Sequence, residues 1–395
     1  MNNKIVLAFS GGLDTSFCAI YLKNQNWEVH SAIVNTGGFS IDDLTEIQHK
    51  ALDLGVVSHI TLEKTNEYYQ HIIRFLIYGN VLKNNTYPLS VSAERIYQAI
   101  ALVEYAKSIG AKAIAHGSTG AGNDQVRFDL IIQVLAPEIE IITPIRDLHL
   151  SRKEEIDFLS ENGVIIPWEK AQYSINKGLW GTSIGGAETL TSHLFLPETA
   201  FPNQLKKSGK EVLYLQFEKG ELVGLNHKRS NPVKAIQQLE ELASAYAIGR
   251  DIHVGDTIIG IKGRVGFEAA AANIIIKAHH TLEKHTLSKW QLHWKEQLAS
   301  WYGMFIHEAQ YLEPVMRNIE TFLESTQQHV SGTVQVELAP YRFQVLGIES
   351  PHDLMNSDFG AYGETNKKWS GEDVKGFTKI MANSLQLFHH VNKTI

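Results

Sequence analysis

The chain has almost no cysteine. Cys18 is the only one in 395 residues, which excludes an intrachain disulfide, a Cys-x-x-Cys redox pair and a cysteine-rich zinc site. Cys18 itself reads as a small apolar residue on the inner face of the first helix. Long apolar runs are missing as well. No stretch approaches the ~18 residues of a membrane span, and the run after Met1-Asn2-Asn3-Lys4 is too short for a signal-peptide core. A soluble, cytoplasmic protein is expected. Nor is there an excess of basic charge, since 36 Lys and Arg stand against 43 Asp and Glu, a formal net charge of -7. That argues against nucleic acid held on a large basic surface and leaves open only a local basic groove. The Walker pattern Gly-x4-Gly-Lys-Ser/Thr is absent, which counts against γ-phosphate transfer. There is no internal repeat and no low-complexity tract. A chain of this length should hold two or three domains, each with its own core.

What is present is organised around Lys4 to Ser16. Ile5 to Phe9 is β-branched and aromatic enough for a buried strand, and Gly11-Gly12 removes the Cβ atoms that would keep backbone amides from an anion. Asp14, Thr15 and Ser16 suit a helix opening, where unpaired N–H groups and the helix dipole favour phosphate. An ordinary strand, glycine turn and capped helix would use similar residues. The full string Ser10-Gly11-Gly12-Leu13-Asp14-Thr15-Ser16 resembles the pyrophosphate loop of the N-type ATP pyrophosphatases, which split ATP into AMP and pyrophosphate.

Downstream, strands are expected at Val29–Val34, Val56–Leu62, Ala113–Ala115 and Ile139–Thr143, and helices at Ile41–Leu54, Ala93–Ile109 and Asn123–Leu135. Ser151 to Glu154 is a capping box that opens another helix. The alternation predicts an α/β fold, a doubly wound parallel sheet with helices on both faces, over residues 1–168. A second glycine-rich stretch, His116 to Gly122, falls at a strand's C-terminal end, the edge where ligands bind in such sheets. Behind it Asn123, Asp124 and Arg127 share one helix face. A carboxylate and a guanidinium side by side suit a zwitterionic amino acid. The plainer alternative is that Asp124 only caps the helix and pairs with Arg127.

From Pro167-Trp168 the pattern changes to strands with long connections, an α+β domain expected over 169–365, followed by a helical tail at 366–395. Val212–Phe217 and Glu221–Asn226 read as a hairpin around Lys219-Gly220, Val233–Tyr246 as a helix, Ile258–Ile261 and Asn273–Ala278 as strands, and Thr333–Leu338 with Phe343–Ile348 as a strand pair. Leu287–Tyr302 reads as a helix with Trp290, Trp294 and Trp301 in the core. A tail helix around Phe377–His390 needs a dock for Phe377, Ile380, Leu385 and Leu387, and a partner subunit would provide one.

His116-Gly117-x-Thr119-Gly120-x-Gly122-Asn123-Asp124-Gln125-Val126-Arg127-Phe128 is close to a signature of the argininosuccinate synthase family, a branch of the pyrophosphatase group. The resemblance continues through Tyr87-Pro88-Leu89 with Ser92 and Arg95, Tyr173-Ser174-Ile175, Leu179-Trp180-Gly181-x-Ser183-Ile184, Gly249-Arg250, Gly260-x-Lys262-x-Arg264 with Glu268, Gly332-Thr333-Val334, Val345-x-Gly347-x-Glu349-Ser350-Pro351 and Gly376-Phe377-x-Lys379-Ile380. It implies a ligase in which the ureido oxygen of citrulline attacks the α-phosphate of ATP and the amine of aspartate then displaces AMP, with Mg²⁺ on the ATP phosphates. It implies ATP at Ala8, Phe9, Ser10, Gly11, Gly12, Leu13, Asp14, Thr15, Ser16, Val34 and Gly117, aspartate at Thr119, Asn123 and Asp124, and citrulline at Tyr87, Ser92, Asn123, Arg127, Ser174 and Ser183. A homotetramer is implied too. No residue is marked as a general base, and catalysis by positioning and charge stabilisation is the economical account. A tRNA thiolase or an amidating enzyme of the same group would need a basic surface with extra cysteines, or a glutaminase. A nucleotide sensor without turnover would be expected to have lost the phosphate loop, which is intact.

Several positions depart from the family pattern. Its substrate-binding glutamate falls on Gly255, with Asp256 one residue away, and its substrate-binding tyrosine falls on Phe267. Ala121 stands for a lysine, Glu94 and Ile96 for Ala and Pro around Arg95, and Asn35 and Gly38 for aspartate and glutamine. Either another side chain compensates or the substrate differs. A buried substrate ammonium left unpaired would cost about 3 to 5 kcal/mol, and an N-acylated citrulline has no such charge.

Overall fold

The computed structural model describes residues 3–120, 122–164, 173–356, 362–363 and 368–392. Strand β1 (Lys4–Ala8) leads into helix α1 (Leu13–Asn24), β2 (Glu28–Asn35) into α2 (Ile41–Asp53), and β3 (Ser58–Glu63) into α3 (Thr65–Tyr68), a wider π turn at Tyr69–Ile73 and α4 (Arg74–Tyr78). Then follow α5 (Ser90–Ile109), β4 (Ala113–Ala115), α6 (Asp124–Leu135), β5 (Glu140–Ile142), α7 (Pro144–Asp147) and α8 (Arg152–Glu161). The five strands are parallel in the order β3-β2-β1-β4-β5, the doubly wound arrangement that the alternation predicts. Side chains leave a strand on alternate faces, and β1 uses both. Val6 packs into a core shared with Ile72, Ile96 and Ile131, whereas Ile5 and Leu7 join Phe17, Cys18 and Leu22 on the other side. The capping boxes are Ser40 with Asp43 on α2 and Ser151 with Glu154 on α8.

The second half begins with β6 (Ser174–Gly178), β7 (Gly181–Gly185), β8 (Glu211–Glu218), β9 (Glu221–Leu225) and β10 (Lys228–Arg229). It continues through α9 (Pro232–Ser244), β11 (Arg250–Asp256), β12 (Lys262–Glu268), α10 (Ala270–Thr286), α11 (Lys289–His307) and α12 (Pro314–Thr326), and ends with β13 (Gly332–Ala339), β14 (Arg342–Glu349) and α13 (Gly371–Asn392). Two antiparallel sheets result, β10-β9-β8-β13-β14 and β11-β12-β7-β6. Among the described residues no helix is long and apolar enough to cross a membrane. The composition shift at Pro167-Trp168 and the departure at Ala121 lie outside the described residues.

Three expectations are corrected. Ile258–Ile261 is not a strand but the turn joining β11 to β12, closed where Thr257 donates to the Ile261 carbonyl at 2.8 Å from both its amide and its hydroxyl. Asn273–Ala278 lies inside α10. Its isoleucines extend a helix begun by Ala270-Ala271-Ala272, and Ile274, Ile275, Ala278 and Leu282 bury one face at helical spacing. Trp290, Trp294 and Trp301 are not core residues, being 63, 56 and 54 % exposed. The inward positions of α11 go instead to Lys295, Ala299, Tyr302 and Ile306.

Lys295 is fully buried because its charge is matched. Its Nζ lies 2.7 Å from Glu283 Oε2 and donates to the Tyr78 carbonyl at 2.6 Å. Glu283 also accepts from Asn80 at 2.5 Å and Gln327 at 2.9 Å, so α4, α10, α11 and the turn after α12 meet at one carboxylate. Removing one partner of a buried pair strands the other. Lys295→Ala is therefore expected to destabilise the protein by about 3 to 5 kcal/mol, read as a lower denaturant or thermal midpoint, with Lys295→Met less harmful than Glu283→Ala.

Candidate active site

Strand order alone brings two loops together. The connection after β1 runs toward β2 on one side and that after β4 toward β5 on the other, so the loops after β1 and β4 flank the crevice at the switch point. Phe9 still bonds to the Ala32 carbonyl at 2.9 Å. Gly11 then takes φ +77°, which other residues adopt only with strain, and Gly12 caps α1. Ser16 Oγ folds back to the Gly12 carbonyl at 2.8 Å and Thr15 Oγ1 to the same atom at 3.3 Å. Leu13 and Val34 are buried beneath the loop and Ala8 is half-buried. Gly117, at the start of the loop after β4, lies so close that a Cβ there would stand 3.0 Å from that of Asp14.

A cavity of about 410 Å³ opens beside Ser10 and Gly11, and Gly38, Phe39, Lys50 and Lys177 line it with them. Lys50 Nζ donates to the Gly11 carbonyl. Lys177 enters from β6, so the second half of the chain contributes a cation to a cavity built by the first. Below the loop, burial pushes the Asp14 carboxyl above its ordinary range, and it hydrogen-bonds to Glu155 on α8. Burial and the Asp14 charge together push Glu155 up to about 8. Two carboxyl groups in contact keep a proton between them.

The β4 loop is braced from behind. His116 Nε2 and Asp129 Oδ1 are 2.9 Å apart, Arg146 Nη1 reaches Asp129 Oδ2 at 2.7 Å, and Gln125 donates to the Gly120 carbonyl at 2.6 Å. Thr119 is exposed on this loop. At its end the carbonyl oxygen of the Asn123 side chain accepts from the Ile258 amide at 2.8 Å, which fixes the β11–β12 turn over the start of α6. Asp124 stands between two guanidiniums, 3.0 Å from Arg95 Nε and 2.9 Å from Arg127 Nη1. Burial would raise its pKa, but the two positive charges overcome this and hold it below the ordinary carboxylate value. Arg127 also donates to Ser92 Oγ at 2.8 Å and to the His307 carbonyl at 3.1 Å. The plain pairing of Asp124 with Arg127 is thus real but forms part of a wider network. Arg95 extends it to Gln98 at 2.9 Å and Asn176 of β6 at 2.5 Å.

Register completes the cleft. Residues directly opposite in a sheet share a face, and the pairs Ser174 with Gly185, Asn176 with Ser183, Phe267 with Ser183, and Gly255 with Gly263 put Ser174, Ser183 and Phe267 on one face of β6-β7-β12-β11. His253 and Gly255 are on that face too. It looks toward Tyr87, whose ring centre is 5.3 Å from those of both His253 and Phe267. Tyr87 Oη lies 3.2 Å from Ser90 Oγ and accepts from the Val91 amide at 3.1 Å. Asp256 does not replace a glutamate at 255. It projects from the opposite face, where it pairs with Lys262 at 2.6 Å.

The departures at the end of β2 prove to be one packed unit. Thr36 Oγ1 donates to the buried Glu94 at 2.6 Å, and Glu94 accepts from Gln98 at 2.9 Å. Gly178 makes room for the Glu94 carboxyl, Gly38 lies against the Lys177 carbonyl where any side chain would collide, and Leu179 N bonds to the Thr36 carbonyl at 3.2 Å. Asn35 Nδ2 holds Glu63 at 2.9 Å. Sequence reasoning did not single out His253, His307, Lys177 or Glu155, which come from distant segments and carry no local motif. Arg95 was quoted within a matching segment but given no role.

The raised Glu155 pKa has a sign. A carboxyl with a pKa near 8 in the folded protein and about 4.3 unfolded binds its proton more tightly when folded, so its contribution is complete below the unfolded value and is lost as pH rises through 8. Thermal midpoints measured from pH 5 to 9 should fall toward alkaline pH, and Glu155→Gln should flatten that fall.

Comparison with known proteins agrees with this architecture. Residues 4–165 match the model of the arginosuccinate synthase N-terminal HUP domain and residues 173–388 that of the arginosuccinate synthase C-terminal domain. The argininosuccinate synthase of Methanocaldococcus jannaschii is 36% identical over 392 residues, 98% of each chain. That of Dictyoglomus turgidum is 38% identical over 381 residues, 95% of each, and that of Xylella fastidiosa 34% over 406 aligned positions, 100% of this chain and 99% of the other. With both halves matched and relatives aligned over nearly their full length, the chain belongs to the argininosuccinate synthase family.

Proposed function

We propose that this protein is an ATP-dependent carbon–nitrogen ligase that joins a citrulline-type ureido amino acid to L-aspartate. The ureido oxygen attacks the α-phosphorus, the bond to the β-phosphate oxygen breaks and pyrophosphate leaves. The aspartate amine then attacks the ureido carbon, AMP departs with the bonding pair and the amine loses its proton. The observation that most supports this is the approach of Gly117 to Asp14, because it sets the phosphate loop beside the paired Asp124 and Arg127.

In this reading Ala8, Phe9, the Ser10–Ser16 loop, Val34 and Gly117 hold ATP, with backbone N–H groups at the start of α1 taking the charge that develops on the leaving pyrophosphate. Thr119, Asn123 and Asp124 hold aspartate. Tyr87, Ser92, Asn123, Arg127, Ser174 and Ser183 hold the ureido amino acid. Lys177 and Lys50 stand beside the loop, with Asp43 and Glu46 on the wall of the same cavity. Magnesium would come with the nucleotide, on its phosphate oxygens, and neutralise their charge; among the described residues no group of three or more His, Cys, Asp or Glu could hold a metal. No side chain is assigned as a general base. Positioning carries the rate, since adenylation makes AMP a good leaving group and the cleft holds the amine against the activated carbon.

A tetramer in the cytoplasm belongs to the same reading. Helix α13 leaves Phe377, Ile380, Met381, Leu385, Leu387 and Phe388 each at least 59 % exposed, a face that a second copy would cover.

Pyrophosphate release measured with ATP should require both aspartate and a ureido amino acid. ATP binding without turnover under all conditions would leave the nucleotide-sensor reading instead. Asp124→Asn should raise KM for aspartate and lower kcat/KM by about 10²-fold or more, a loss near 2.7 kcal/mol. For the assembly, Leu385→Asp with Phe388→Asp should lower the mass found by light scattering, and a wild-type monomer would exclude the tetramer.

A further inference from the structure

We propose that the ureido amino acid taken by this site is acylated on its α-nitrogen, which is then an uncharged amide rather than an ammonium. The inference rests on the ligase reading above. It concerns the end of the cleft away from the phosphate loop, since the ureido oxygen must face the α-phosphate and the α-carbon must therefore lie toward Arg127, Tyr87 and the inner face of β11–β12.

The groups at that end leave no unengaged anion for an ammonium. Arg127 is buried there with His307, whose Nε2 is 3.1 Å from the Asp256 carbonyl oxygen, and His253 stacks on Tyr87. Burial lowers the pKa of both histidines, and the Lys83 ammonium lowers them further. The nearby carboxylates are engaged elsewhere. Asp124 is shared by Arg95 and Arg127, Asp256 pairs with Lys262 on the opposite face, Glu94 is buried against Thr36 and Gln98, and Asp251, across from Phe267, is exposed and accepts from the Ile252 amide at 2.7 Å. An ammonium here would lie near the Lys83 ammonium and imidazoles kept neutral by burial, with no unengaged carboxylate as partner.

The same place has hydrogen-bonding capacity for an acyl group. Gly255 brings no polar side chain to it, and its backbone is packed so closely that a Cβ would stand 2.7 Å from His253 Nε2 and 3.3 Å from Asn84 Nδ2 and push the imidazole aside. Nδ1 of His253, in a residue only 6 % exposed, has no hydrogen-bond partner among the described residues. Phe267 is fully buried against Tyr87 and presents an apolar ring. An acyl carbonyl or carboxylate would accept from His253 or Asn84. Acetyl and succinyl groups share this chemistry, and the succinyl carboxylate would gain from Lys83 as well.

The test compares citrulline, N-acetylcitrulline and N-succinylcitrulline as substrates of the full-length enzyme, by pyrophosphate release with ATP and aspartate. Both acylated substrates should exceed citrulline in kcat/KM by about tenfold or more. Succinyl above acetyl would assign the gain to the carboxylate, and acetyl equal to succinyl would assign it to the amide; either supports the proposal. Citrulline equal to or better than both overturns it and leaves the ligase reading intact, whereas no aspartate-dependent release with any of the three overturns the ligase reading itself. Calorimetric titration of N-succinylcitrulline and citrulline into the nucleotide-bound enzyme gives a readout apart from turnover and should show the same order. Gly255→Ala should weaken the acylated substrates by about tenfold and citrulline by less than about twofold. Equal weakening of all three, at an unchanged thermal midpoint, counts against the proposal.

Discussion

One buried guanidinium holds the cleft in shape. Arg127 is 4 % exposed, and taking its charge out of water is tolerable only because Asp124 neutralises it while Ser92 and the His307 carbonyl occupy its remaining donors. Those partners sit on α6, α5 and α11. Asp124 passes the constraint to Arg95, and Arg95 to Asn176 of β6. A continuous run of charge-assisted bonds thus links the parallel-sheet half to the sheet that closes the cleft from the other side. Such bonds are strong and directional, so the two faces are fixed in distance and in orientation.

The phosphate end is held by a different means. There the chain relies on close backbone approach, with Gly11 and Gly117 providing it and Asp14 tied to Glu155 through a retained proton. The loop after β2 is keyed into the β6–β7 hairpin by the Thr36 to Glu94 bond and the contact of Gly38 with Lys177. The departures at Asn35, Gly38 and Glu94 therefore compensate one another within a single contact. Gly255 and Phe267 lie elsewhere in the cleft, packed against His253, Asn84 and Tyr87.

Local signals made the first half legible. β1 through β5 lie within a residue or two of the apolar runs that announce them, and Ser40 and Ser151 cap their helices as the side chains require. The second half was harder because its elements contradict their own composition. Asn273–Ala278 is β-branched yet helical, since burial on both α9 and the adjoining sheet outweighs intrinsic preference. On α11 the tryptophans face outward and Lys295 inward, because Glu283 on α10, far along the chain from the glycine-rich loops, supplies the charge that a buried lysine needs.

The sequence by itself determined the doubly wound sheet and the two glycine-rich loops at its edge, because each depends on periodicity, φ freedom or helix-start chemistry within a few residues. Only the tertiary structure decided which side chains share the cleft. Sheet register put Ser174, Ser183, Phe267, His253 and Gly255 on one face, and turned Asp256 away to Lys262. A strand's faces alternate at every residue, so a carboxylate one position along the chain from Gly255 lies on the wrong side of the sheet.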